Sequence, residues 1–172
     1  PMSKPRTANP ALAISEADLA SALALIGTEI HHQPLRSSAL ARIMRETFHG
    51  SDAGGTWDWR MAYDLMQATA VQALLRGDNS EDDYYAAKLL ASRLLTETRR
   101  SEQQIRLQQF STPLPFAALT VRAAAIRKGE TVLEPSAGTG APAAFAARAG
   151  ATLLLNEIDP FRQRLLRAVF GG

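Results

Sequence analysis

Apolar residues recur at Leu19, Ala22, Leu23, Ile26 and Ile30, the three- and four-residue spacing of one helix face. Ser15 stands before Glu16, Ala17 and Asp18, so that helix has an N-cap hydroxyl and acids in its first turn, and Pro34 ends it. A second helix is expected from Ser37 to Phe48, after which Gly50-Ser51-Asp52-Ala53-Gly54-Gly55 breaks the chain. A third runs from about Asp58 to Leu75, with Trp59, Tyr63, Met66 and Ala70 on one face. Gly77-Asp78-Asn79-Ser80 closes it, and Ser80 with Asp83 caps a fourth helix that reaches about Glu97.

After Arg100 the pattern changes. A polar, basic linker over Arg99 to Arg106 leads to Gln108-Gln109-Phe110-Ser111-Thr112-Pro113, and Pro115 opens an alanine-rich helix to about Ile126. Lys128-Gly129-Glu130 turns the chain into a short strand, Thr131 to Glu134, and Pro135-Ser136-Ala137-Gly138-Thr139-Gly140 forms a loop. A helix follows from about Ala141 to Ala149, with Pro142 tolerated in its first turn and Gly150 at its end. Thr152 to Asn156 reads as a second strand, and Pro160 starts a last helix through Phe170. Strand, helix, strand, helix is the opening of a parallel α/β sheet with right-handed crossover. The expected fold is therefore an all-α helical module followed by an α/β C-terminal part. The divisions are a flexible leader over residues 1–12, the helical module over 13–100 and the α/β part over 101–172.

Composition narrows the class. With 172 residues and 46% hydrophobic positions a buried core is feasible, and no apolar run is long enough for a membrane span. The first dozen residues lack the apolar stretch of a signal peptide, and there is no cysteine, which excludes disulfides, thiolate metal sites and cysteine nucleophiles. A cytoplasmic location fits best. The net charge of +2 is unevenly spread: residues 1–98 carry 9 basic and 12 acidic side chains (−3), residues 99–172 carry 10 and 5 (+5). The basic half suits DNA as a polyanionic partner, or else Arg162, Arg164 and Arg167 solvate the outer face of a helix. No metal site is expected from His31, His32 and His49, and Trp57 and Trp59 are expected to pack between helices rather than stack on bases.

The candidate chemistry lies in the second half. A glycine-bearing loop between strand and helix lets a ligand approach the backbone and aims N–H groups at it. Glu134 and Pro135 put a carboxylate beside that loop at the carboxyl edge of the sheet, where ligands of such folds bind. Glu157 ends the next strand seventeen residues beyond Gly140, near the spacing of a ribose-binding acid, and Ile158 beside it suits an adenine face. The Phe110-Ser111-Thr112-Pro113 segment can fold back over the same place and offer hydroxyls to a carboxylate. Two other readings stand beside this one. Gly138, Gly140 and Ala143 also satisfy a dinucleotide spacing, although the acid before the loop opposes a pyrophosphate; or the glycines make only a tight turn and the acids only solvated strand ends. A phosphate loop is excluded because no Lys-Ser or Lys-Thr pair follows the glycines.

Gln109-Phe110-Ser111-Thr112-Pro113, Val132-Leu133-Glu134-Pro135-Ser136-Ala137-Gly138-Thr139-Gly140 and Asn156-Glu157-Ile158-Asp159-Pro160 resemble the cofactor motifs of N6-adenine DNA methyltransferases. With Trp57-Asp58-Trp59 and Thr98-Arg99-Arg100-Ser101-Glu102, the chain resembles the N-terminal part of bacterial and phage methylase–helicase proteins of the strawberry-notch type. That resemblance implies the cofactor-binding half of a truncated Rossmann-like domain that binds S-adenosylmethionine. It implies that Phe110, Thr112 and Pro113 embrace the methionine moiety, with Ser111 in the same cofactor-binding segment, and that Glu134 meets its amino group. Pro135, Ser136 and Ala137 belong to the same loop, Gly138 and Gly140 allow close approach, Glu157 holds the ribose, and Ile158 lies beside it. The family's catalytic Asn- or Asp-Pro-Pro-aromatic motif has no match between Asn156 and Gly172, so no catalytic residue is assigned and turnover by this chain alone is not expected. A two-stranded parallel sheet leaves apolar faces open, so self-association, cover from the helical part or a missing C-terminal domain is expected. The alternative function is a non-enzymatic helical interaction module with a vestigial cofactor site.

Overall fold

A computed structural model describes residues 14–77, 82–97 and 111–171. Among them are seven helices and one two-stranded parallel sheet, a mostly helical molecule. Helix α1 (Glu16–His32) starts as its sequence dictates: the Asp18 backbone N–H donates to the Ser15 hydroxyl (3.0 Å), and that hydroxyl donates to the Asp18 carboxylate (2.7 Å). All five residues of its apolar stripe are buried. Helix α2 (Ser37–Thr47) ends one residue before the expected Phe48, and α3 (Trp59–Arg76) has Asp58 as N-cap, its carboxylate accepting from the Met61 N–H (2.7 Å).

Helix α4 (Asp83–Ala91) departs from expectation at both ends. Its N-cap is Asp82, which accepts from the Tyr84 N–H (2.8 Å), and Ser80 lies outside the described residues. It stops at Ala91 instead of reaching Glu97, and beyond it the N–H groups of Arg93 and Leu94 close tighter turns on the carbonyls of Leu90 (3.0 Å) and Ala91 (3.2 Å). The Arg93 guanidinium donates to the last carbonyls of α1, Ile30 (3.2 Å) and His31 (3.0 Å), while its own carbonyl accepts from Leu35 N–H (2.9 Å). The bonds to Ile30 and His31 satisfy acceptors that the end of α1 leaves open.

Pro113 precedes α5 (Leu114–Ala123), which ends short of the expected Ile126. Strand β1 (Thr131–Glu134), helix α6 (Ala141–Arg148), strand β2 (Thr152–Leu155) and helix α7 (Pro160–Phe170) follow in the anticipated order. The strands pair in parallel from Thr131↔Thr152 to Glu134↔Leu155, and the Asn156 N–H extends the ladder to the Glu134 carbonyl (2.9 Å). Side chains alternate about the sheet, so Leu133 (66% exposed) and Leu154 (54% exposed) share one open face. The helical part does not cover that face. It packs instead on α5, α6 and α7. No helix among the described residues is long and apolar enough to cross a membrane.

Helix α3 is buried almost all round and joins two core clusters. Its residues from Met61 to Ala68 pack with α1 and α2, and Phe161 and Leu165 of α7 enter that cluster. Its residues Ala70, Val71 and Leu74 pack with α4, α5 and α6, including Phe145. Trp57 is buried beside this helix with its indole N–H on the Gly50 carbonyl (3.1 Å) and its ring edge-on to Trp59 (5.7 Å), which is packing, as expected.

A charge network crosses the same contact. Arg162 of α7 is buried and places Nε (3.0 Å) and Nη2 (2.7 Å) on one oxygen of buried Asp64 in α3. Arg60, one turn earlier, hydrogen-bonds the Asp159 carboxylate, which also caps α7 by accepting from the N–H groups of Phe161 (3.0 Å) and Arg162 (3.1 Å). The basic face expected of α7 is thereby corrected. Arg162 faces the core, and Arg164 binds Glu16 (2.8 Å) and the Ile14 carbonyl (2.6 Å); Arg167 alone of the three is exposed. Burial pushes the Asp64 carboxyl up, against the pull of Arg162 and Arg60. Burial acts the same way on Asp159, but hydrogen bonds from Arg60 and the Arg162 backbone, with both guanidinium charges, outweigh it and hold that carboxyl below its ordinary value. For Arg162, burial opposes the charge and the charge of Asp64 prevails, so its pKa is raised.

Asp64→Ala, which strands a buried guanidinium, is expected to cost about 3–5 kcal/mol in urea unfolding, whereas Asp64→Leu combined with Arg162→Met should come close to wild type. Because the folded pKa of Asp159 is depressed, its contribution is present above its unfolded pKa and fades as pH falls through the folded one. The stability gap between wild type and Asp159→Asn should therefore narrow as unfolding is repeated at successively lower pH through the carboxylate range.

Candidate functional site

The loop between β1 and α6 is held by its neighbour after β2 through a set of backbone and side-chain bonds. The Ala137 N–H donates to the Asn156 carbonyl (2.9 Å), the Asn156 side-chain amide donates to the Pro135 carbonyl (2.9 Å), and the Gly140 N–H closes a turn on the Ala137 carbonyl (2.8 Å). Glu157 is the centre of this arrangement. One carboxylate oxygen accepts from the Gly138 N–H (2.7 Å) and the other from the Asp159 N–H (2.8 Å), and the side chain is nearly buried. The acid expected at the end of β2 thus meets the glycine loop expected after β1. Each of its oxygens retains a second lone-pair direction.

The two glycines differ. Gly138 (φ +58°) has open space where a side chain would go, the nearest atom being Arg162 Nη1 at 4.0 Å. At Gly140 (φ +92°) a Cβ would lie 2.6 Å from the Phe170 ring and 3.2 Å from Leu166. Gly138 leaves room for a ligand, while the space at Gly140 is filled by α7. Glu134 is half-buried at the end of β1, with one oxygen 3.4 Å from the Ser136 N–H; Pro135 and Ser136 are exposed, Ala137 is buried, and Ile158 is 80% exposed.

Ser111, Thr112 and Pro113 do come up against the loop. With Thr139 they line a cavity of about 400 Å³ whose other wall belongs to the helical part of the chain. Phe110 lies outside the described residues. The Ser111 hydroxyl is buried there without a hydrogen-bond partner, a feature that fits a ligand carrying an acceptor. Glu134, Glu157 and Ile158 lie apart from this cavity and toward the carboxyl edge of the strands. Glu157 borders a second, larger cleft of about 730 Å³ between β2 and α7, walled by Leu153, Leu155, Leu166 and Phe170.

Two residues of this region, Gln67 and Glu97, carry no signature in the sequence. Gln67 of α3 accepts from the Thr139 hydroxyl (3.1 Å) and donates to the Glu97 carboxylate, so two helical-part residues reach the loop. A polar residue within a helix buried on nearly all sides marks Gln67 as unusual, but nothing in the chain reveals Thr139, 72 residues away, as its partner. The His31 and His32 rings meet edge-on (4.9 Å) at the end of α1, and no group of three or more potential ligands gathers around a metal position among the described residues.

Comparison of the chain with protein-family models, with curated proteins and with solved structures finds no match. The residues themselves therefore carry the functional argument. Gly140→Ala is expected to cost about 2 kcal/mol or more, combining left-handed backbone strain with a clash, whereas Gly138→Ala should cost only about 1 kcal/mol. Thermal unfolding of the two variants side by side checks that order.

Proposed function

We propose that this chain is the S-adenosylmethionine-binding part of a DNA adenine-N6 methyltransferase, built on the first strands of a Rossmann-like sheet. The observation that carries the reading is the clasp of Glu157 on the Gly138 N–H. It brings a glycine loop and an acidic strand end together at the carboxyl edge of two parallel strands. Ligands of open α/β sheets bind at that edge, and a carboxylate at the second strand end suits the two hydroxyls of a ribose. The exposed Ile158 side chain offers an apolar surface for the adenine beside it. Ser111 and Thr112 supply hydroxyls for the carboxylate of the methionine end, and the space at Gly138 admits the ligand to the backbone.

When bound, the cofactor supplies an electrophilic methyl group on a sulfonium. The residues described here would bind and orient it, and proximity would do most of the remaining work on a base held by other groups. DNA as the partner rests on the resemblance of the motifs and on the +5 charge of residues 99–172, of which Arg162 and Arg164 are already engaged within the fold. One feature favours the non-enzymatic alternative: both Glu157 oxygens already accept backbone N–H groups, so the carboxylate has a structural role without any ligand.

Isothermal calorimetry separates the two. Saturable binding of S-adenosylmethionine or its demethylated product is expected, weakened about tenfold or more by Glu157→Gln in a variant whose circular dichroism matches wild type. Absence of heat at millimolar ligand would leave the interaction-module reading in its place.

A further inference from the structure

We infer that the outer face of the α4–α5 pair is the surface through which two copies of this chain associate. Eight large apolar side chains stand exposed among the described residues, and four of them lie on these two helices: Tyr85 (70%), Leu89 (57%), Phe116 (64%) and Leu119 (43%). Tyr85 and Leu89 are four residues apart, and Phe116 and Leu119 three, so each pair forms one ridge. Ala87 faces inward from α4, as do Leu114, Ala117 and Ala118 from α5, which leaves both ridges on the side away from the core. The two helices run antiparallel. Arg122 near the end of α5 pairs with Asp82 at the start of α4 (3.5 Å), and at the opposite end Ala91 and Leu94 line one cavity with Thr112 and Leu114. That register sets Tyr85 level with Leu119 and Leu89 level with Phe116, in a single apolar patch.

Charge and area together select a second copy as the occupant. The exposed charges at the rim, Asp82, Lys88 and Arg122, are of both signs, which suits a self-complementary partner rather than a polyanion. A two-fold axis along the helices lays α4 of one copy antiparallel over α5 of the other, as in a four-helix bundle. Positions at one level then coincide. Asp82 of each copy falls over Arg122 of the other, and Tyr85 and Leu89 fall over Leu119 and Phe116. The four side chains present roughly 400 Å² of apolar surface per copy, a patch of the size that marks interaction sites. Two such patches with their polar rims clear the total of about 1,000 Å² that a specific dimer needs. The open sheet face offers only Leu133 and Leu154. None of the residues in this patch belongs to the glycine loop or its clasp, so the inference stands or falls apart from the cofactor reading.

Size-exclusion chromatography with light scattering on the full chain should give twice the chain mass. Phe116→Glu and Leu89→Glu, on different helices and both at exposed positions, should each give the monomer mass with an unchanged circular dichroism spectrum, because association would bury an unpaired carboxylate. In sedimentation equilibrium Arg122→Glu should weaken the dimer about fivefold or more, since it sets like charges across the interface. Leu133→Glu, on the open sheet face, should leave the dimer intact. A wild-type chain that stays monomeric at about 0.1 mM overturns the inference. So does a dimer that survives both Phe116→Glu and Leu89→Glu, or one that Leu133→Glu dissolves.

Discussion

The ion pair between Asp64 and Arg162 is the contact on which the other arrangements depend. It joins the most buried helix to the last one, residues 98 positions apart, and both partners are shut away from water. A lone guanidinium in that place would be strongly destabilising, so each partner requires the other and the pair ties α3 to α7. Arg60 and Asp159 repeat the link one turn away. Asp159 is in turn the N-cap of α7 and sits two residues from Glu157.

From that anchor the order of constraint runs to the glycine loop. Holding Asp159 fixes the backbone N–H that Glu157 accepts, and the second oxygen of Glu157 then fixes Gly138. The opposite side of the loop is held by Thr139 on Gln67, again from α3. One helix therefore grips the loop from two directions, about two turns apart along its length. A loop held this way has support on both sides.

The same geometry shows which faces are settled and which are not. The sheet's inner side is packed by α6, with the Glu157-bordered cleft alongside, while Leu133 and Leu154 on the outer side meet solvent. Two strands have too little surface to bury both faces of the sheet, and the helical part is committed to α5, α6 and α7.

Local order was legible in the chain wherever local chemistry decides it. The α1 stripe and its Ser15 cap, the break at Gly50, the two short strands and the start of α7 at Pro160 all follow from periodicity, caps and glycine placement. The placement of Glu157 and the glycine loop at one edge of the strands was legible too, because both follow strand ends, whereas the bond from the Gly138 N–H to Glu157 was not. Tertiary structure alone decided the rest. Arg162, written on a helix as part of a basic face, turned inward onto Asp64, and Arg93 beyond the end of α4 reaches the last carbonyls of α1. Gln67 and Glu97 joined the loop across long separations, and Gly140 proved to accommodate Phe170. Partners of buried polar groups are chosen by three-dimensional proximity, and no spacing along the chain encodes that choice.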